Sequence, residues 1–328
     1  MATVALARNA MATRFEVVLH GDDPVRLRAA AEEALDEIQQ LEAQLNLYSP
    51  SSELTQINAR AAREPVRVEP RLFRLLEHAR QLWRETEGAF DITIAPLMRA
   101  WGFVRDTGRL PDSARLAEAR ACTGMNLVEL DDRAYTIRFQ RPGVVLDLGA
   151  IGKGYALERA EQLIRDAGVT RGILHGGTST VCAIGRDEQE RPWRVAIARP
   201  DQELAARGLA RASAEVSASQ VLAVVDLEDA SLSVSAVWGK AFQAEGRVYG
   251  HVLDPRTGEP ADRAVLAALA LPSATETDAL STALLTLGPA GLDQIVRLRP
   301  AARALVVAPG TPPGTFQVSA SGIEASSV

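Results

Sequence analysis

Four segments gather residue types that do chemistry. The first is LDLGAIGKG at 146–154, where an apolar, β-branched run breaks into glycines around Lys153. The glycines let backbone groups approach an anion, and the lysine adds positive charge there. The spacing from Gly149 to Gly152 and Lys153 is too short for a nucleoside-triphosphate P-loop and no Ser or Thr follows the lysine, so that chemistry is excluded. A glycine-lined turn with a solvent-facing lysine satisfies the same residues. The second is Asp278 with Thr282, four apart on a helical segment and hence on one face, which lets a carboxylate and a hydroxyl reach one hard cation such as magnesium. TETD at 275–278 also reads as a helix N-terminal capping box with Asp278 structural, and on this segment alone the cap is preferred. The third is HVLDPRTGEP at 251–260, whose turn is fixed by Pro255 and Gly258. There His251 is either a general base or a structural hydrogen-bonding group. The fourth is GAFDITIAP at 88–96, where Asp91 stands in an apolar run and must be hydrogen-bonded or used. His20, His78 and His175 show no metal-ligand spacing, and no G-x-S-x-G, H-E-x-x-H or complete dinucleotide fingerprint occurs.

These groups need elements to hold them. Residues 13–20 alternate and meet Gly21, which predicts a strand and a turn. Ala30, Ala34, Ile38, Leu41 and Leu45 place a long amphipathic helix over 24–46. An ordered loop with a short helix follows, then a helix from Pro70 to about Glu87, stopped by Gly88. Short strands are expected between 127 and 148, the last running into the glycines. A helix over 155–167 stops at Gly168, and GILHGG at 172–177 is the next strand. Together they make a β-loop-helix-β unit whose helix N-terminus suits a phosphate. From 192 to 271 the pattern is strand-like, apart from a loose insertion at 200–215. A final helix spans about 276–287, and a last strand 303–308. The Pro-, Gly- and Ser-rich tail from 310 is expected to be poorly ordered.

Composition sets the frame. The 328 residues are 47% hydrophobic and 24% charged, as in a globular protein with a sizeable core, and the absence of a long linker indicates one α+β unit on mixed sheets. Net charge is −6 with both signs interspersed, which excludes a basic stripe for nucleic acid or anionic lipid. Of 36 basic residues only Lys153 and Lys240 are lysines. Cys122 and Cys182 are isolated and read as buried small hydrophobes, with no zinc site or disulfide framework. The N-terminal MATVALARNAMATRF lacks the apolar core of a signal peptide and a cysteine for lipid attachment. As given, the chain is expected to be cytoplasmic, without a membrane span.

In order along the chain, MATRF at 11–15, LYSPSSEL at 47–54, GAFD at 88–91, LDLGAIGKGYALERA at 146–160, the glycines 176–177, HVLDPRTGEP at 251–260 and TDALSTAL at 277–284 resemble the motifs of the ApbE family, the FAD:protein FMN transferases. The resemblance implies a bilobal, T-fold-like α+β architecture. Its transferase domain would cover 11–308, between an N-terminal extension, 1–10, and a tail, 309–328. It implies FAD as substrate between the lobes, Mg2+ at the pyrophosphate, and an acceptor flavoprotein whose threonine hydroxyl takes FMN while AMP leaves. By the same resemblance the carbonyl of Ala150 and the side chains of Asp278 and Thr282 hold the metal, which reverses the preference for a pure cap. Lys153 then contacts substrate beside the metal, His251 is the nearest base, and Met11, Tyr48, Ala89, Phe90, Asp91 and Leu253 occupy flavin-binding positions. The chain departs from the family at Thr178, where an aspartate is usual, at Val234 and Ala236, which flank Ser235 where Thr-Ser-Gly is usual, and at Trp238, in place of a tyrosine. These departures bear on acceptor recognition. They keep open a metal-dependent FAD pyrophosphatase, in which water replaces the threonine, and an FAD-binding or delivery protein without turnover.

Overall fold

The computed structural model describes residues 1–105, 107–200, 220–312 and 315–325. Its strands are β1 Ala2–Ala10, β2 Thr13–Gly21, β3 Val66–Arg67, β4 Val128–Asp131, β5 Thr136–Phe139, β6 Gly172–Gly176, β7 Thr180–Ile184, β8 Trp193–Ala198, β9 Val221–Leu227, β10 Ala230–Ala236, β11 Ala241–Ala244, β12 Arg247–Gly250, β13 Leu266–Leu271, β14 Arg303–Pro309 and β15 Phe316–Ser321. Its α-helices are α1 Pro24–Leu45, α2 Glu53–Arg60, α3 Pro70–Glu85, α4 Ala95–Ala100, α5 Ser113–Ala121, α6 Gly152–Asp166, α7 Ala274–Leu287 and α8 Leu292–Leu298.

An eight-stranded sheet in the order β1-β2-β6-β7-β10-β13-β14-β15 forms the centre. Period-two alternation decides what each face meets. In β13, Ala267, Leu269 and Leu271 join the core under α1, α6 and α7, whereas Leu266, Ala268 and Ala270 join a second core closed by the β8–β9 pair. Burial on both faces explains why LALAL-type runs read as continuously apolar. The three-stranded β3-β5-β4 sheet with α2 and α3 extends the first core, and α4, α5 and the β11–β12 hairpin enclose a third around Trp101 and Leu253.

Helix starts follow from local chemistry. Asp23 accepts from the N–H groups of Val25 and Arg26 ahead of Pro24, and Glu69 does the same for Arg71 and Leu72 ahead of Pro70. At the start of α7 the cap is Ser273, whose Oγ accepts from the N–H of Glu276 at 3.2 Å. The capping box therefore begins two residues before Thr275, and Asp278 lies in the helix body, not in the cap.

The fold is the expected α+β arrangement, with differences that have physical causes. Each strand pairing among the described residues is antiparallel, where mixed sheets were anticipated. Residues 144–148 form no strand. The side-chain amide of Asn58 bonds both the N–H and the carbonyl of Leu146, at 2.8 and 3.0 Å, and the N–H of Asp147 donates to the Ile92 carbonyl at 2.7 Å. With those groups satisfied, the run needs no ladder. Helix α6 begins at Gly152 and not at 155, so Lys153 and Gly154 belong to its first turn. Residues 2–10 are an edge strand of the main sheet, and residues 316–321 of the tail expected to lack order are the opposite edge. Helix α8 was not anticipated. The insertion expected at 200–215 lies outside the described residues from 201 onward. Among the described residues no helix is long and apolar enough to cross a membrane.

Candidate functional site

The site is built where the first turn of α6 meets the flank of α7. Gly154 makes that approach possible. A Cβ there would collide with the carbonyl oxygen of Ala274 and come within 2.7 Å of the Asp278 Cβ, so only glycine lets the helices touch. The N–H of Gly154 donates to Asp278 Oδ2 at 2.9 Å, and Lys153 Nζ stands 3.7 Å from Asp278 Oδ1 and 3.5 Å from the Gly149 carbonyl. Asp278 is 5% exposed on a helix buried on nearly all sides. A carboxylate in such a place requires partners, and a helix N-terminus and an ammonium supply them. The Ile151 side chain does not cap α6, which keeps that helix end suited to an anion.

A group of hydroxyls completes the α7 side. Ser281 and Thr282 both donate to the Asp278 carbonyl, at 3.1 and 3.2 Å, and Ser235 Oγ on β10 lies 2.8 Å from Ser281 Oγ and 3.1 Å from Thr282 Oγ1. On the other side, His251 follows β12, with its Nδ1 3.2 Å from the Lys240 carbonyl and its N–H bonded to the same oxygen at 3.0 Å. A carbonyl only accepts, so Nδ1 carries the proton and Nε2 keeps a lone pair. Burial lowers the His251 pKa below its ordinary 6.5, and the positive charges of Lys240 and Lys153 push the same way. The charges of both lysines of the chain thus bear on one imidazole and favour its neutral form. The other three histidines are held by carboxylates or backbone: His20 by Glu188, His78 by Glu276, and His175 by the Gly177 carbonyl.

The remaining sequence-derived positions lie on other elements of the fold. Met11 and Ala12 form the two-residue β1–β2 turn, both with positive φ (49° and 59°), and Glu42 accepts from the Met11 N–H at 2.7 Å. Left-handed backbone at two non-glycine residues is stored strain, held here by the flanking nine-residue register. Tyr48 is 67% exposed on the loop closed by Ser52 and Asn46. Ala89 and Phe90 are core residues, and Leu253 packs in the third core. Asp91 is buried; its burial raises the pKa to about 6 against hydrogen bonds from Thr93, Met125 and Trp83. Ala150 lies in the turn that leads into α6.

Three residues without an assigned role also belong to the neighbourhood. Asp147 accepts from the Gly149 N–H at 2.8 Å, and its burial raises its pKa while the charge of Arg99 lowers it. Its signal was available, since a carboxylate inside VVLDL poses the same question as Asp91. Ser235 and the carbonyl of Lys240 had no local signal, because each acts on a residue reached only through the fold.

The oxygens fit a hard cation. Asp278 supplies one negative charge, Thr282 Oγ1 has its proton committed to a carbonyl, and nitrogen and sulfur ligands are not involved. Among the described residues no group of three or more His, Cys, Asp or Glu converges as a metal cluster. A cation here would share a single carboxylate with neutral oxygens and with the phosphates of a substrate, which is the habit of magnesium.

A positive helix end and a lysine beside one carboxylate make this an α+β protein suited to phosphate chemistry. Comparison with known proteins narrows that class. The model of the ApbE family matches residues 11–306, and the chain belongs to that family. It is 30% identical over 309 residues to an FAD:protein FMN transferase of Klebsiella pneumoniae, covering 92% of this chain and 83% of the relative. The ApbE protein of Thermotoga maritima superposes with a TM-score of 0.82 at 27% identity, covering 97% of both chains. The apo flavinyl transferase ApbE of Pseudomonas stutzeri does so with 0.81 at 27% identity, covering 97% of this chain and 94% of its own.

Proposed function

We propose that this chain transfers FMN from FAD to a hydroxyl of an acceptor protein, a threonine by family resemblance, and releases AMP. The observation that carries the reading is the meeting of Lys153, the Gly154 N–H and Asp278 in the first turn of α6, with the charge of Lys153 also felt by the imidazole of His251. FAD is an anhydride of FMN and AMP, so its pyrophosphate needs positive charge around it and a base beside the incoming hydroxyl. The helix end and Lys153 bind the phosphate oxygens. His251 Nε2 takes the acceptor proton as the hydroxyl oxygen bonds to the FMN phosphorus. The bond from that phosphorus to the bridging oxygen breaks, and AMP leaves with its electron pair. Magnesium, held by Asp278, Thr282 and the Ala150 carbonyl, would neutralise charge on the pyrophosphate oxygens. Met11, Tyr48, the 89–91 segment and Leu253 would line the flavin end, with backbone strain at Met11 fixing one wall.

The test is incubation of the full chain with FAD, magnesium and a co-expressed acceptor flavoprotein, followed by the acceptor's intact mass after denaturation. A covalent FMN increment with AMP release is the expected result. AMP and free FMN alone identify hydrolysis, and intact bound FAD identifies a carrier; either rejects transfer. Asp278→Asn keeps an oxygen for the Gly154 N–H yet removes the charge, so it should melt near wild type while losing turnover by roughly a hundredfold. Full turnover at limiting magnesium in that variant would remove Asp278 from the metal site.

A further inference from the structure

We propose that Ser235 is a positioning residue, which holds the Thr282 hydroxyl as an oxygen donor toward the cation beside Asp278; the inference rests on the function proposed above. Ser233 and Ser235 lie two apart on β10 and so present hydroxyls to the same face, toward α7. Ser233 Oγ meets Thr277 Oγ1 at 2.9 Å, and both residues are fully buried, which makes that pair a packing contact. One repeat along, Ser235 meets Ser281 and Thr282 at 2.8 and 3.1 Å, four and five residues beyond Thr277. The same spacing that buries one pair brings the other to the ligand-bearing turn.

The protons decide what Ser235 does. Ser281 and Thr282 each give theirs to the Asp278 carbonyl, so both oxygens offer lone pairs, and Ser235 has a single proton to place on one of them. A helical threonine otherwise divides between two χ1 rotamers, one of which bonds the preceding-turn carbonyl. The Ser235 hydroxyl selects that rotamer and leaves the other Thr282 lone pair for a cation. Ser235 is half-buried beside the fully buried Ala267 on β13, and the hydroxyls of Ser281 and Thr282 are its side-chain hydrogen-bond partners. Outer partners of this kind change metal affinity by 10–100-fold when removed.

The test compares full-length wild type, Ser235→Ala and Ser235→Thr for FAD cleavage against magnesium concentration and for melting with and without magnesium plus FAD. In Ser235→Ala the half-saturating magnesium should rise about tenfold with the rate at saturation preserved, and the upward melting shift given by magnesium and FAD together should shrink. Its metal-free melting should match wild type, and Ser235→Thr should restore the magnesium dependence. Unchanged half-saturation in Ser235→Ala overturns the proposal. So does an equal loss of metal-free stability and of saturated rate, which assigns the hydroxyl to packing. Wild-type protein whose FAD cleavage is indifferent to chelation overturns both this inference and the proposed function, and is told apart because it appears before any substitution.

Discussion

At His251 the proton inventory is set by its neighbours. Nδ1 is committed to the Lys240 carbonyl, and burial with two nearby ammonium groups holds the ring pKa below 6.5. The ring is therefore unprotonated at neutral pH, as a base must be. Because its folded pKa lies below the unfolded value, the unfolded chain binds this proton more readily. Any stability linked to the neutral ring is full above 6.5 and is lost as pH falls through the folded value. For catalysis, kcat/KM should stay level as pH falls past 6.5 and drop only below it. His251→Asn should lower the transfer rate by roughly a hundredfold and abolish that acid limb, with FAD still bound. A variant with a near-normal rate and the same limb would leave His251 a structural role. The residue itself was legible in HVLDPRTGEP. The carbonyl that orients it was not, since Lys240 reaches it only across the β11–β12 hairpin.

Elements were legible where their ends are made by neighbours in the chain. Asp23 with Pro24 and Glu69 with Pro70 mark helix starts that the structure keeps, and Gly288, with φ of 70°, ends α7 as expected. The exceptions are made by distant partners: Asn58 is 88 residues from the Leu146 backbone it satisfies, and no local pattern reports it. Helix α7 shows both cases. Its Ser273 cap is local, whereas its Glu276 carboxylate is tied at 2.7 and 2.8 Å to Arg299 beyond α8 and at 3.2 Å to His78 on α3. Arg299 also reaches Glu85 at 2.8 Å. Burial alone would raise the Glu276 pKa, but the bonds from His78 and Arg299 prevail and lower it from 4.5 to about 2. A carboxyl whose folded pKa is depressed stabilises above its unfolded value and loses that contribution as pH falls toward the folded one. Glu276→Gln should therefore cost about 2–3 kcal/mol at neutral pH in denaturant melts, with the gap to wild type closing between 4.5 and about 2. A gap that stays constant across that range would mean the ion pairs contribute nothing net.

At the scale of the molecule, the motif order revealed the family, but the limits of the folded unit were less legible. Its ends carry no site motif, and the last one is rich in residues that usually mark loose chain. The family match begins at residue 11, yet β1 pairs with β2 along nine residues, from Ala2 opposite Gly21 to Ala10 opposite Thr13. Val4 and Ala10 are buried in the main core, against which α1 also packs. Removing residues 1–10 would strip β2 of its ladder partner, expose the apolar surface under α1 and leave the Met11–Ala12 turn without one of its two strands. The strained backbone there persists only because both strands over-determine it. A chain beginning at Met11 should thus melt well below the full-length protein and, with Met11 at the flavin end as proposed, bind FAD more weakly. Comparison of melting and of FAD affinity by fluorescence quenching checks both consequences at once. If the shortened chain melts and binds FAD like the full one, β1 is an ornament on the sheet and Met11 is held by Glu42 alone. If it melts lower but binds FAD normally, the strand supports the fold and Met11 is no part of the flavin site.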